Sequence, residues 1–263
     1  MPEPEKQASA GQQNPAQQKA PFAAAGKSFL PETESTFWPW LFVAVFSLSI
    51  LVFYVPYNHE TKQLDAQKLV SVLLFRDLAF SLEELDRALG VAGLGLMAIA
   101  LSIGPLSRLF PKVFGLYLHW RKPISLSALA AIIVHGTYMF ATRYAPNLAE
   151  SLSSLNDYAL LLTGIAATII FGLVVAVSRK EGVQVLGYRK WKLVQNTAYA
   201  GLALVVAHFV IIKTENGYFD VTPFALAAFA VAVFAVAQRA LILLAAVPET
   251  EKSEHHFGEP GNN

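Results

Sequence analysis

Apolar residues along this chain gather into six runs, at 38–55, 88–107, 124–142, 158–177, 194–212 and 222–247, with short polar stretches between them. Each run holds roughly the 20 residues that a helix needs to cross about 30 Å of hydrocarbon. In lipid such a run must satisfy its own backbone hydrogen bonds, which selects helix over any open sheet. The pattern therefore predicts an all-α fold, a polytopic membrane bundle of about six transmembrane helices.

The flanks read differently. Residues 1–36 are rich in Gln, Ala and Pro without apolar periodicity, and are expected to form a disordered tail. That tail is too long and polar to be the start of a cleaved signal peptide, so the first run reads as a true span. Residues 37–247 form the transmembrane domain and 248–263 a second polar tail. Within the longest loop, 56–86, the stretch from Leu69 to Leu85 alternates apolar clusters with charges. It reads either as an amphipathic helix on the membrane surface or as an ordinary folded loop.

Lys and Arg in the short loops set the orientation. Arg108, Lys112, Arg121 and Lys122 lie between runs two and three, and Arg179, Lys180, Arg189, Lys190 and Lys192 between runs four and five. The opposite short loops hold mainly Arg143 and Lys213. A cell-membrane, multi-pass protein with both termini cytoplasmic is expected.

Composition narrows the chemistry. Hydrophobic residues make up 54% and charged residues 15% of the 263, against charges at about a quarter of positions in soluble domains. The net charge is +1, which gives no global basic field for nucleic acid. The absence of cysteine excludes disulfides, cysteine-ligated zinc and iron–sulfur clusters, and attached c-type haem. A metal centre would have to be held by His, carboxylate, Met or Tyr.

Of six histidines, His59, His119, His255 and His256 fall in loops, near an interface or in the tail. Only His135 and His208 lie inside apolar runs, where an imidazole is costly and by default a functional candidate. His135 comes about 18 Å along its helix from Pro123, and His208 about 21 Å along its own from Val194. Both helices start from the same face, so the two rings should share one level in the outer half of the membrane. Two imidazoles facing each other across a bundle are a usual way to hold a low-spin haem b. Interhelical hydrogen bonding without metal is the alternative. Gly201 and Leu204 share the stripe of His208, and Ala128, Ala131 and Ile132 that of His135. Gly201 would let a macrocycle approach the backbone, or else serve helix packing. Arg143 and Lys213 could meet haem propionates, or else anchor the helix ends. Arg239 lies near enough to the cytoplasmic face to reach it by snorkelling.

Three stretches, ALGVAGLGLMAIALSIGPLSRLF, WRKPISLSALAAIIVHGTYMF and SRKEGVQVLGYRKWKLVQNTAYAGLALVVAHFVIIK, carry a resemblance. Over about 87–215 the chain resembles the ferric reductase-like transmembrane domain of ferric reductases, NADPH oxidases and the haem subunit of the methionine sulfoxide reductase system. The resemblance implies haem-ligating histidines on the third and fifth helices, with His135 and His208 matching the outer pair. Many members hold an inner haem as well, through a histidine at the position of Gln195 and a partner near Arg121. The haem subunits of the sulfoxide reductase system keep that histidine and this chain does not, so the inner site reads as lost unless His119 substitutes. One haem b is expected. A flavin or quinone near Tyr117, Trp120, Tyr188 and Trp191 could bridge the remaining membrane, or those aromatics form an interfacial belt.

No G-x-G-x-x-G follows a strand, and no P-loop or H-E-x-x-H occurs. The GxG of Gly93 and Gly95 falls inside a span, where it is expected to serve helix packing. The expected function is a haem b, metal-binding membrane oxidoreductase subunit without its own flavin or nicotinamide domain. Electrons would come from a separate protein or quinol and pass toward an outer-face acceptor. The alternative is a non-redox scaffold or small transporter with the same bundle.

Overall fold

The computed structural model describes residues 37–54, 56–58, 63–74, 82–214 and 222–246. Both polar tails, with His255 and His256, lie outside the described residues, as does His59. In chain order come α1 (Phe37–Tyr54), a two-residue antiparallel pairing of β1 (Tyr57–Asn58) with β2 (Gln63–Leu64), α2 (Ala66–Leu73) and α3 (Leu82–Leu109). A short α4 (Pro111–Phe114) and a 3-10 turn lead into α5 (Arg121–Met139), which runs on through a π-helical turn, Phe140–Tyr144, toward the short α6 (Leu148–Ser151). Then follow α7 (Leu155–Val177), α8 (Lys180–Thr214) and α9 (Pro223–Ala246). Five helical segments, α3, α5 with its continuation, α7, α8 and α9, are long and apolar enough to cross a membrane, and α1 adds a shorter apolar stretch, Phe37–Val52. The protein is an all-α, multi-pass membrane bundle.

Two boundaries depart from the apolar runs. α3 begins at Leu82, six residues before its run, because its charged first turn is a good helix start: Glu83 and Glu84 sit at the positive end of the dipole and Glu83 pairs with Arg87 one turn on. α8 begins at Lys180 but is interrupted at Gly187, whose φ of 71° only glycine adopts freely. Of the stretch 69–85, residues 69–73 fall in α2, which starts earlier at Ala66, and residues 82–85 open α3. Asp65 Oδ1 accepts from the backbone N–H groups of Gln67 at 2.9 Å and Lys68 at 3.0 Å, an N-cap that the apolar pattern did not mark.

α3 is the hub. It packs on α1, α5, α8 and α9, and 72% of its apolar window is buried against 17–22% in the other four. Its small residues allow this close approach. A Cβ on Gly93 would stand 2.9 Å from the Ile132 side chain of α5, and one on Gly95 2.9 Å from the Phe46 ring of α1. Both glycines therefore serve helix packing, as expected. The Ala128–Ile132 stripe of α5 is taken up by this contact with α3 and does not line an open face.

Pro105 has a consequence at the other end of α3. Proline has no N–H, so the carbonyl four residues earlier, that of Leu101, loses its helical donor. The Tyr199 hydroxyl of α8 donates to that carbonyl at 2.9 Å, and beside it Arg121 Nε of α5 donates to the Ala100 carbonyl at 3.1 Å. Neighbouring helices thus satisfy the backbone that the proline disturbs.

Candidate functional site

His135 and His208 lie toward the same end of the bundle. His135 on α5 meets the first turns of α3, and His208 on α8 meets the first turns of α7. The helices that carry them are barely in contact, since α5 packs mainly on α3 and α8 mainly on α7.

Nδ1 of each ring is tied down. For His135 it lies 2.9 Å from Asp86 Oδ2 and 3.2 Å from the Asp86 carbonyl. For His208 it lies 3.0 Å from the Leu160 carbonyl and 3.2 Å from Thr163 Oγ1. A carbonyl can only accept, so Nδ1 of each ring carries a proton, and in the neutral ring Nε2 keeps its lone pair. The Thr163 hydroxyl donates to the Ala159 carbonyl at 2.7 Å, which leaves its oxygen to accept from His208. Among the described residues neither Nε2 has a hydrogen-bond partner.

Glycines seat both rings. A Cβ on Gly90 of α3 would stand 3.2–3.3 Å from three atoms of the His135 imidazole, and one on Gly164 of α7 3.5–3.6 Å from that of His208. Gly201, on the His208 stripe, instead packs on Ile170 and Phe171 of α7, where a Cβ would stand 3.0–3.1 Å away. Its role is helix packing, the second of the two readings open for Gly201, and not that of a macrocycle seat. Arg143 is likewise engaged, donating to Asp157 Oδ1 at 2.7 Å and so joining the end of α5 to the start of α7. The Lys213 side chain lies outside the described residues.

Asp86 was missed by sequence reasoning. It is 3% exposed, and its second oxygen, Oδ1, is buried without a partner among the described residues. The signal was an acid four residues before Gly90, on one helix face, but the apolar run was read as starting after it.

The position where relatives would bear an inner ligand is built differently. Gln195 Nε2 donates to Ser178 Oγ at 2.9 Å and to the Val174 carbonyl at 3.4 Å, clamping α8 to the end of α7. Arg121 lies on the α3 backbone, within 3.4 Å of a Cβ on Gly104. His119 is exposed, with its ring 6.2 Å from that of Trp120. Tyr117 packs on Trp120 at 5.1 Å and Tyr188 on Trp191 at 5.9 Å, as two separate pairs. The Arg239 guanidinium lies 5.5 Å over the Tyr199 ring.

Two imidazoles do not complete the sphere of a bare ion, and among the described residues no three or more His, Cys, Asp or Glu gather into a metal site. They fit a macrocycle that supplies the equatorial nitrogens itself. A flat macrocycle also needs its two ligand-bearing helices held apart from direct packing, and α5 and α8 make few direct contacts. Residues 78–206 match the family described as ferric reductase like transmembrane component. This segment of the chain belongs to the family. The ferric reductase-like segment takes in Asp86, Gly90 and His135 and stops two residues before His208. No curated protein sequence matches the chain significantly. Family membership makes the bundle a membrane electron-transfer module.

Proposed function

We propose that the chain binds one haem b between α5 and α8, with Nε2 of His135 and Nε2 of His208 as axial ligands. The observation that carries this reading is the shared geometry: each intramembrane ring sets Nδ1 against a carbonyl acceptor and has no hydrogen-bond partner at Nε2 among the described residues. Haem would supply one-electron transfer. The residues of the chain do the rest. Asp86 and Leu160 fix ring rotation, and Gly90 and Gly164 admit the rings close to the neighbouring helices. The excess of Lys and Arg at the opposite end supports an orientation with that end, and both termini, in the cytoplasm. Electrons then come from a separate protein, a flavin or a membrane quinol, and leave toward an acceptor on the outer face.

A second reading has an observation of its own. Each imidazole already bridges two helices, His135 joining α5 to α3 and His208 joining α8 to α7. Polar glue in a non-redox scaffold or transporter needs no more than that. The dithionite-reduced minus oxidised spectrum of the purified chain separates the two. The haem reading expects b-type bands that vanish in His208→Ala. A featureless wild-type spectrum, or full bands in that variant, leaves the scaffold reading standing.

A further inference from the structure

Asp86 is the one carboxylate among the described residues that a ring nitrogen of either intramembrane histidine reaches. Its geometry is that of a helper and not of a ligand. Oδ2 accepts the Nδ1 proton of His135 at 2.9 Å, on the side of the ring away from Nε2. Four residues on, and hence on the same face of α3, Gly90 lies flat against that ring. The two make a seat: Gly90 sets how close the ring can come, and Asp86 sets its rotation. The seat of His208 has the same parts with one difference. Its Nδ1 bonds to a carbonyl and a hydroxyl, both neutral.

We propose that Asp86 is a positioning residue that makes His135 the more basic of two unequal axial ligands. The inference rests on the haem reading above. A carboxylate that accepts from Nδ1 draws the proton toward itself and gives the imidazole partial imidazolate character. Nε2 becomes a stronger donor, and a stronger donor favours ferric over ferrous iron. Burial strengthens the effect, because Asp86 is 3% exposed and little water screens its charge from the ring. His208 receives no such push. The chain would then hold a haem of lower potential than a pair of neutral seats allows, suited to giving up its electron toward the end where Asp86 lies.

The test is a redox titration of the haem in wild type and in Asp86→Asn. Asn keeps the size and an oxygen that accepts from Nδ1, and removes only the charge. The midpoint potential is expected to rise in Asp86→Asn. Asp86→Ala, which removes the acceptor too, is expected to lower haem retention by about 10–100-fold. An unchanged potential in Asp86→Asn, with the haem still bound, overturns the proposal while leaving the two-histidine site intact. If His135→Ala and His208→Ala both leave the spectrum unaltered, it is the haem reading that fails, and the outcomes are thereby distinct. Should Asp86→Asn not accumulate, the ferric EPR spectrum of wild type reads ligand strength without substitution. A compressed g anisotropy supports the push, and the wider anisotropy of two neutral imidazoles rules it out.

Discussion

The two ends of the bundle use polar side chains in opposite ways. At the end of His135 and His208, each ring is fixed through one nitrogen and keeps the other unbonded among the described residues. At the end of Arg121, Gln195 and Tyr199, the polar groups close on partners in neighbouring helices: Arg121 on the Ala100 carbonyl, Gln195 on the Val174 carbonyl and the Ser178 hydroxyl, Tyr199 on the Leu101 carbonyl. One set is held in readiness and the other closes joints between helices. Chemically capable residues in a membrane are thus not all candidates for chemistry. What separates them is the atom left over after the fold has been satisfied.

The largest expected effect falls on the first set. Replacing either histidine by alanine removes one of only two donors, so His135→Ala and His208→Ala should each lose the reduced b-type bands completely. Far-UV circular dichroism should keep its helical signal, because the bundle is held by apolar packing along α3. Bands that persist in both variants would erase the contrast between the ends.

Gly90→Ala should act next, and its sign depends on what is measured. Alanine gains about 1 kcal/mol of helix propensity over glycine, which applies with or without cofactor. Its Cβ, at 3.2–3.3 Å from the His135 ring, pushes the ring by a few tenths of an ångström. The ring is least able to yield when its far nitrogen is also held. The variant should therefore be as thermostable as wild type in the apo form and retain haem poorly, losing it several-fold faster to a competing apoprotein. Equal haem loss from variant and wild type would mean that Gly90 is an ordinary packing glycine like Gly93.

Much of this was legible in the chain before folding. Long apolar runs imposed helices because lipid leaves backbone groups no other partner, and the two histidines stood out because imidazoles inside such runs are rare. What stayed hidden depended on pairs far apart in sequence. Asp86 looked like part of a charged loop end until α3 proved to begin at Leu82 and the acid faced a residue 49 positions away. Gly201 looked suited to a macrocycle by its stripe alone, but its neighbour is Phe171. Periodicity gives the face of a helix, and only packing says which partner that face meets.

Tyr199→Phe probes the second set. It removes the donor to the Leu101 carbonyl that Pro105 has already deprived of its helical partner. A half-buried carbonyl left unpaired costs about 1–3 kcal/mol, and lipid cannot replace the bond. The expected outcome is a lower melting temperature with an unchanged haem spectrum. The double variant Tyr199→Phe with Pro105→Ala should recover most of the loss, since alanine restores the helical N–H. A spectrum that changes with Tyr199→Phe would mean that the residue reaches the cofactor.

The smallest expected effect is the most informative about the difference between the ends. Gln195→His supplies the residue type that relatives with an inner haem carry at this position, yet it should not create a second haem site. A single imidazole lacks its partner, and the matching place on α5 is Arg121, a cation whose Nε is committed to the Ala100 carbonyl. The new ring would still face Ser178 and Val174 and could keep part of the clamp, so the stability loss should stay within the 0.5–1.5 kcal/mol of one ordinary hydrogen bond. Haem-to-protein stoichiometry, from the pyridine haemochrome against amino-acid analysis, should remain at one in the variant. A value of two would show that Arg121 can leave the α3 backbone at little cost, and that the polar side chains at that end were a site in waiting after all.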